Sequence, residues 1–204
     1  MLTSIVNDAV TQNKNILIMG SARSGTHALG TMLAKNNHFI YHGEICKIDN
    51  LNNLYADLDL LYNHDNISVS QIVQYIPKVK ISKYVTKIKD NAIIVNLCRR
   101  NKVKQFASWI YFSRYHNNDN GWHSQVISKE YSAENQFNIT DEDIELFLAE
   151  QMVDSFFKPD YVLFYEDLNF QTATTRENIY DFDITKIFNN LEFVKEKLEN
   201  WTYP

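Results

Sequence analysis

Residues 15–29 constrain this chain more than any other stretch of its sequence. An apolar run at residues 16–19 is typical of a buried strand and ends at Gly20. A loop of small residues follows, and residues 26–35 have the spacing of a helix. A strand, a short loop and a helix in this order aim backbone N–H groups and the positive helix end at one point. The segment therefore predicts an anion-binding site.

The loop has the glycine spacing of a phosphate-binding loop, Gly20-x-x-x-x-Gly25, but lacks its lysine. A loop that serves nucleotide hydrolysis continues Gly-Lys-Ser/Thr, with the lysine on the phosphates and the hydroxyl on Mg²⁺. Here Thr26 and His27 follow Gly25, and the cation lies inside the loop as Arg23. A guanidinium binds phosphate or sulfate through two N–H bonds without a metal. The loop thus predicts a phosphate or sulfate site that works without Mg²⁺.

The composition fits one well-buried domain, and we expect a single domain over residues 1–204. With 45% hydrophobic residues and only 5 Gly and 3 Pro, the sequence argues against long linkers. It lacks a signal-peptide pattern, and no apolar run approaches the roughly 20 residues of a membrane span. Cys46 and Cys98 lie far apart, without a metal-ligand pattern around them. We therefore expect a cytoplasmic protein with reduced, buried cysteines, no bound metal and no membrane partner.

The net charge of −5 conceals a strong asymmetry along the chain. Residues 78–114 contain ten of the 20 Lys and Arg and a single acid, Asp90, whereas residues 130–204 contain 17 of the 25 acids. A positive cleft in an acidic molecule suits a small polyanion better than nucleic acid, which usually selects a basic domain. For residues 78–89, a solvated surface explains the charge run equally well. We expect a small anionic ligand and no nucleic-acid partner.

Alternating strand and helix patterns predict an α/β fold with a mainly parallel central sheet flanked by helices. Strands are expected at residues 16–19, 38–41, 82–88, 92–97 and 161–165, and helices at residues 26–35, 102–115, after Thr140 and over residues 187–198. Residues 47–77 predict a helix and loops without clear bounds, and residues 116–136 a polar loop. Ligands of parallel sheets bind at the carboxyl ends of the strands, so the loops at Gly20, His42 and Cys98 are expected to meet there.

A second pair of polar residues lies in the most basic stretch of the chain. Arg100 follows a predicted strand, and Ser108 lies two turns into the next predicted helix. A helix rises roughly 12 Å over this separation, so the two side chains meet on one phosphate only if the chain bends back before Lys102. Taken alone, Arg100 and Ser108 are explained equally well as two surface residues or as a phosphate-binding pair.

Three stretches together resemble the sulfotransferases that use 3′-phosphoadenosine 5′-phosphosulfate (PAPS). Ser21-Ala-Arg-Ser-Gly-Thr-His27 is similar to the family's 5′-phosphosulfate loop. Residues 99–108, Arg-Arg-Asn-Lys-Val-Lys-Gln-Phe-Ala-Ser, are similar to its 3′-phosphate motif, in which a Ser follows an Arg by eight residues. Residues 162–168 resemble the strand that ends in Tyr-Glu-Asp-Leu in many members. The double Arg and Gly121-Trp122-His123 are most similar to the bacterial carbohydrate branch that includes trehalose sulfotransferase.

The resemblance implies a P-loop-like fold that transfers a sulfuryl group from PAPS to a hydroxyl acceptor, with a carbohydrate favoured and no metal required. It assigns donor binding to Ser21, Ala22, Arg23, Ser24, Gly25, Thr26, His27, Arg100 and Ser108. Arg23 would also neutralise the 5′-phosphate as it leaves, by analogy with phosphoryl transfer. Arg99 is a second candidate for the 3′-phosphate.

The acceptor hydroxyl needs a base, and three residues compete for that role. In the carbohydrate branch a glutamate soon after the second strand is the suspected base, and Glu44 occupies that place. Its carboxylate accepts a proton if burial raises its pKa toward neutrality. His42 and His27 are rivals, because a neutral imidazole does the same work without a large shift. Two further roles stay open. Lys87 either lies near the sulfate or is a solvated lysine, and Trp122 is either a stacking platform or a structural residue.

Two other functions stay open from the sequence. A kinase or other NTPase with an unusual loop needs a Mg²⁺-binding aspartate at a strand end; Asn96-Leu97-Cys98 offers none, and Asp167 is the nearest candidate. A relative that binds the nucleotide without catalysis would lack the base. The identity of the acceptor and the oligomeric state, a homo-oligomer included, are not determined by the sequence.

Overall fold

A five-stranded parallel sheet is the centre of the first of two units into which the chain divides. The first unit comprises Met1–Cys98 and Val153–Thr175, and the second Arg99–Met152 and Arg176–Pro204. The computed structural model describes residues 1–21, 23–45, 67–73, 85–115, 136–151, 158–168 and 184–201.

The sheet has the order β2-β3-β1-β4-β5, and every pairing in it is parallel. Its strands are β1 Asn15–Gly20, β2 Ile40–Glu44, β3 Ser68–Val73, β4 Ala92–Cys98 and β5 Tyr161–Phe164. The central β1 is buried along its whole length, as expected for a continuous apolar run between two parallel neighbours. All five strands end at one edge of the sheet, so the predicted α/β class with a mainly parallel sheet is confirmed.

Two helices cover one face of this sheet. They are α1 Leu2–Gln12 and α2 Thr26–Asn37, while a third, α3 Val85–Asn91, directly precedes β4. The buried core beneath α1 and α2 is aliphatic and comprises Ile5, Ala9, Ile16, Ile18, Leu29, Met32, Leu33, Ala34, Val69, Ile93, Val95, Leu97 and Leu163. This core fixes α2 against β1, and with it the loop that joins the two.

Two polar side chains complete the hydrogen bonding between strands. Asn15 is fully buried, and its Oδ1 accepts a hydrogen bond of 2.8 Å from the backbone N–H of Ser68. At the other side of the sheet, Asp160 accepts from the N–H of Ile94 at 2.7 Å and donates its own N–H to the Ile94 carbonyl. Each contact satisfies a backbone group that the ladder alone leaves unpaired.

The second unit is helical and packs around an aromatic core. Its helices are α4 Lys102–Tyr115, α5 Asp141–Gln151 and α6 Leu191–Leu198. The ring of Phe106 is fully buried, with its centroid 5.2 Å from that of Phe147 and 5.7 Å from that of Phe188. Lys102 is also buried, and its Nζ donates to the side-chain carbonyls of Gln105 and Gln151. These contacts join the helices into one unit.

The helix predicted after Thr140 is confirmed, and Thr140 caps it. The Thr140 Oγ1 accepts from the N–H of Asp143 at 3.3 Å, while the Asp143 carboxylate accepts from the N–H of Thr140 at 3.0 Å. This reciprocal pair is a capping box. Ile144 and Phe147, one turn apart on this helix, are buried.

Two predicted strands are wrong in position or type. The strand expected at residues 38–41 is Ile40–Glu44, because His38 adopts a left-handed φ of 58° and ends α2. Residues 85–88 of the strand expected at residues 82–88 belong to α3, and residues 82–84 lie outside the described part. Alternation over so few residues does not distinguish a strand from a short helix, and Ile88 is buried within α3.

Other elements were not predicted or are shorter than expected. Neither α1 nor β3 was predicted, and the serines of β3 interrupt its apolar pattern. The last helix begins at Leu191 rather than at residue 187, since the Asn190 side chain binds both backbone groups of Ile139. Within the described residues, none of the helices has the length and hydropathy needed to cross a bilayer.

We predict that Asn15→Ala destabilises the protein by about 1–3 kcal/mol, because it leaves the buried N–H of Ser68 without a partner. Urea unfolding followed by circular dichroism measures this loss. The matched control is Asn36→Ala on the exposed side of α2, expected to change the free energy of unfolding by less than about 0.5 kcal/mol. Equal stability of the two variants would contradict the role of Asn15.

Candidate functional site

The loop between β1 and α2 reverses the chain through two left-handed residues. Arg23 has a φ of 64° and Gly25 a φ of 98°. The N–H of Ser24 donates to the carbonyl of Ser21 at 3.0 Å, and Gly25 begins the α2 ladder by accepting from Leu29. A positive φ is uncommon for a residue other than glycine and is concentrated at functional sites. The loop therefore has left-handed backbone conformations that a loop serving only to join a strand to a helix would not require.

The two glycines of the loop leave no room for a side chain. A Cβ on Gly20 would lie 2.9 Å from the Leu97 carbonyl oxygen and would overlap the Ser24 hydroxyl. A Cβ on Gly25 would lie 2.5 Å from the ring of Tyr165. Tyr165 belongs to the Tyr-Glu-Asp-Leu stretch, so the third sequence motif contributes by packing its aromatic ring against the loop.

The hydroxyl of Ser24 has unused hydrogen-bonding capacity. Ser24 is only 1% exposed, and its Oγ has no hydrogen-bond partner among the residues that the structure describes. Buried polar atoms are almost always paired, with the protein, with water or, at a binding site, with a ligand. Ser24 directly precedes the residue that caps α2, where the helix end favours an anion. The arrangement is suited to holding a phosphate or a sulfate.

The other loop residues predicted to bind the donor lie on either side of Ser24 in the sequence, and they differ in exposure. Ser21 and Thr26 are buried, Arg23 is half-buried and His27, in the first turn of α2, is exposed. Ala22 lies outside the described residues. Their assignment to the donor stays a prediction.

A β-bulge in β2 determines which way Glu44 faces. Tyr41 pairs with Val69 but Gly43 pairs with Ser70, so His42 is an extra residue in the ladder. Side chains alternate along a regular strand, and Glu44 would then face away from Tyr41. The extra residue restores Glu44 to the Tyr41 face of the sheet. His42, expected in a loop after the strand, lies within β2 and is exposed, and Glu44 is the residue that ends β2.

Tyr41 contacts the start of α2, and no sequence motif assigned it a role. Its hydroxyl lies 2.9 Å from Nδ1 of His27. Burial, together with the negative charge of Glu44, raises the pKa of Tyr41 to about 12, against a lowering effect of the Thr31 hydroxyl. The phenol therefore stays protonated at neutral pH. The one available sequence signal was Gly30 inside a helix, since a glycine there marks the close approach of another group.

Arg100 and Ser108 belong to the second unit. The N–H of Lys102 donates to the Arg100 carbonyl at 2.9 Å, so the chain turns where the predicted pairing requires a bend. Ser108 is buried in α4, whereas Arg100 is exposed and its neighbour Arg99 is buried. The Asn101 side chain accepts from the N–H of Lys104 and caps the helix. The pairing of Arg100 with Ser108 on one phosphate stays a prediction.

The remaining candidates lie on other elements. Lys87 belongs to α3, not to a strand, and Trp122 lies outside the described residues. Glu166 and Asp167 lie in an exposed turn of 3-10 helix directly after β5. Across the described ranges, His, Cys, Asp and Glu side chains form no group of three or more that could hold a metal ion. The absence of a metal requirement stays a prediction.

Comparison with known proteins gives one match. Searches among curated proteins and among solved structures each found nothing similar to the chain. A family model described as a sulfotransferase domain matches residues 13–201. The matched range includes the loop after β1, the bulged β2 and residues 99–108. The chain therefore belongs to the sulfotransferase family.

Proposed function

We propose that this protein transfers a sulfuryl group from PAPS to a hydroxyl group, with a carbohydrate as the favoured acceptor. The observation that carries the proposal is the loop between β1 and α2. It presents the buried Ser24 hydroxyl, without a partner among the described residues, at the positive end of a helix. A family whose donor carries a sulfate joined to a phosphate needs such a site.

The loop residues would hold the phosphosulfate end of the donor. Backbone N–H groups from Ser24 to His27 and the hydroxyls of Ser24 and Thr26 are the proposed ligands of the sulfate. Arg23 is the proposed partner of the 5′-phosphate, because a guanidinium binds two phosphate oxygens at once. Arg100 and Ser108 are proposed to bind the 3′-phosphate and so to select PAPS over nucleotides that lack it.

In the proposed reaction, the acceptor oxygen attacks the sulfur of PAPS. The bond between that sulfur and the bridging oxygen of the 5′-phosphate breaks, and adenosine 3′,5′-bisphosphate leaves. Charge grows on the bridging oxygen, where Arg23 neutralises it, and catalysis is positioning plus electrostatic stabilisation. No metal is needed to neutralise this negative charge if the guanidinium and the helix end neutralise it.

We propose Glu44 as the base that takes the acceptor's proton. The bulge in β2 supports this role, because it directs Glu44 to the sheet face that α2 covers, where Tyr41 also lies. Glu44 is half-buried, whereas His42 is the exposed extra residue of the bulge. Of these two residues of β2, Glu44 is thus the better placed to act as the base.

The carbohydrate acceptor rests on the resemblance of residues 99–100 and 121–123 to the carbohydrate branch. We propose that residues 47–77 and 116–139 form the walls of the acceptor site, and these stretches lie mostly outside the described part of the chain. A panel of sugars and simple alcohols, tested with radiolabelled PAPS, separates a carbohydrate enzyme from other hydroxyl sulfotransferases.

We predict that adenosine 3′,5′-bisphosphate binds in the presence of EDTA, and that AMP and ATP bind at least about tenfold more weakly. Arg100→Ala should weaken binding about 10- to 100-fold, since it removes a charge-assisted contact to the 3′-phosphate. Isothermal titration calorimetry measures both. Lys186→Ala, an exposed cation of the same unit outside the motifs, is the control and should bind like the native protein. Binding only of ATP, and only with Mg²⁺, would refute PAPS as the donor.

We predict that Arg23→Ala and Arg23→Gly both weaken bisphosphate binding about tenfold or more, because both remove the guanidinium. The two variants should differ in stability. Glycine adopts the φ of 64° without strain, so Arg23→Gly should be about 1 kcal/mol more stable than Arg23→Ala. Calorimetry and urea unfolding measure the two effects separately. Native-like binding by either variant would exclude Arg23 from the donor site.

We predict that Glu44→Gln lowers kcat about 100-fold or more, as expected for loss of a general base, and leaves bisphosphate binding within about twofold. His42→Ala is the matched control on the same strand and should keep kcat within about threefold. The measurement is transfer of labelled sulfate to an accepted sugar. The reverse ranking would make His42 the base, and a native protein that binds the bisphosphate but transfers to no acceptor would be an inactive relative.

A further inference from the structure

The ring of Tyr165 lies against Gly25, the residue that caps α2. A Cβ on Gly25 would lie 2.5 Å from Cδ2 and 2.7 Å from Cε2 of this ring. The side chain of Leu97 in β4 approaches the same space, with its Cδ2 3.8 Å from that Cβ position. Gly25 also has a φ of 98°. It therefore occupies a slot between an aromatic ring and an aliphatic side chain that fits glycine alone.

The backbone around Tyr165 fixes the ring in this place. Tyr165 directly follows β5 and begins a turn of 3-10 helix, in which its carbonyl accepts from the N–H of Leu168 at 3.1 Å. Strand β5 pairs with β4, so Leu163 lies beside Leu97. Tyr165 and Leu168 both pack against the aliphatic core beneath α1 and α2. The ring is thus attached to the sheet, independently of the loop that it contacts.

A second tyrosine ring contacts α2 in a similar way. A Cβ on Gly30 would lie 2.6 Å from Cε2 and 3.2 Å from Cζ of Tyr41, a residue of β2. In the described sheet, β2 and β5 are the two edge strands. The start of α2 therefore has two glycines, and the ring against each comes from an opposite edge of the sheet. Glycine is unfavourable inside a helix, so its presence at Gly30 indicates that the close approach of a ring matters here.

The loop before α2 has a backbone conformation that needs support. Arg23 has a φ of 64°, and the N–H of Ser24 donates to the Ser21 carbonyl at 3.0 Å to close the turn. A left-handed conformation is unfavourable for a residue other than glycine and persists where the surrounding structure holds it. Gly25 is the last residue of this loop and has the widest choice of backbone conformations. A ring packed on Gly25 removes much of that choice.

We propose that Tyr165 is a positioning residue that holds the loop between β1 and α2 in its anion-binding conformation through the contact of its ring with Gly25. The Ser24 hydroxyl and the N–H groups at the start of α2 are then in place before the anion arrives. A site ordered in advance binds its ligand without the entropy loss of ordering the loop. The identity of the anion, the phosphosulfate end of PAPS, rests on the proposed function.

The proposal also explains what the Tyr-Glu-Asp-Leu stretch contributes to the site. Glu166 and Asp167 lie in an exposed turn, whereas Tyr165 is half-buried and contacts the loop. The aromatic ring carries the proposed role, so phenylalanine at this position should perform it and an aliphatic residue should not.

Amide hydrogen exchange in the ligand-free protein tests the proposal independently of any donor. Tyr165→Leu removes the ring and should speed exchange of the Ser24 N–H about tenfold or more, because the closed loop protects this group. Tyr165→Phe keeps the ring and should leave that rate within about threefold of the native value. Exchange is measured residue by residue from ¹H–¹⁵N spectra. Native-like exchange at Ser24 in Tyr165→Leu, or equal acceleration in Tyr165→Phe, would overturn the proposal.

Tyr161→Leu is the matched control, with the same substitution at the start of β5. The Tyr161 ring packs against the same core and its hydroxyl donates to the Asp8 carboxylate, so this variant loses stability without removing the contact at Gly25. It should speed exchange of the buried β1 amides, which follow global unfolding, and leave Ser24 within about threefold of the native rate. Equal acceleration at Ser24 in Tyr161→Leu and Tyr165→Leu would show a general loss of stability and contradict the proposal.

Binding of adenosine 3′,5′-bisphosphate then tests whether the held loop matters to the ligand. Tyr165→Leu should weaken binding about tenfold, while Tyr165→Phe and Tyr161→Leu should bind within about twofold of the native protein. Isothermal titration calorimetry measures this on variants shown to be folded by circular dichroism, with Tyr165→Met in place of Tyr165→Leu if the latter does not fold. Native affinity in a variant whose Ser24 exchange is accelerated would refute the positioning role. If the native protein binds no bisphosphate, the proposed function fails, and the exchange at Ser24 alone decides whether Tyr165 holds the loop.

Discussion

The absence of a side chain at Gly20 and Gly25 is the constraint on which the first unit depends. At Gly20 the backbone of β1 passes so close to the Leu97 carbonyl that a Cβ would collide with it. At Gly25 the ring of Tyr165 takes the place of a side chain. Through these two contacts the loop packs against Leu97 in β4 and against Tyr165, which directly follows β5. Because these neighbours are a backbone carbonyl and a ring, the loop has little freedom to relax, and the Ser24 hydroxyl is held buried beside it.

The site around α2 is assembled from elements that are distant in sequence and adjacent in the sheet. A parallel order places the ends of all five strands on one edge, and the core beneath α1 and α2 fixes the helix over that edge. The bulge at His42 then turns Glu44 to the face where Tyr41 lies. One inserted residue in a short edge strand thus decides whether the carboxylate faces α2 or points away from it.

Two kinds of strain coexist in this small region. Arg23 is held at a positive φ, and Gly30 occupies a helix interior, where alanine would be intrinsically better. Both conformations are unfavourable locally and are maintained by the packing around them. The first belongs to the loop that carries the proposed donor site, and the second lets the ring of Tyr41 lie against the helix backbone. The second unit is different, because its caps at Asn101 and at Thr140 with Asp143 follow ordinary helix chemistry.

The sequence by itself determined the local elements whose signals are short-range. The apolar runs of β1 and β4, the loop glycines and the cap at Thr140 each act within a few residues, and the fold class follows from their alternation. The tertiary structure decided what depends on distant partners: α3 in place of a strand, β3 with its buried serines, and the bulge that turns Glu44. It also decided the contacts of Tyr41 and Tyr165, since no local pattern records which helix or loop a strand residue will meet. Periodicity describes one element at a time, whereas these contacts arise only when the parallel sheet brings separate elements together.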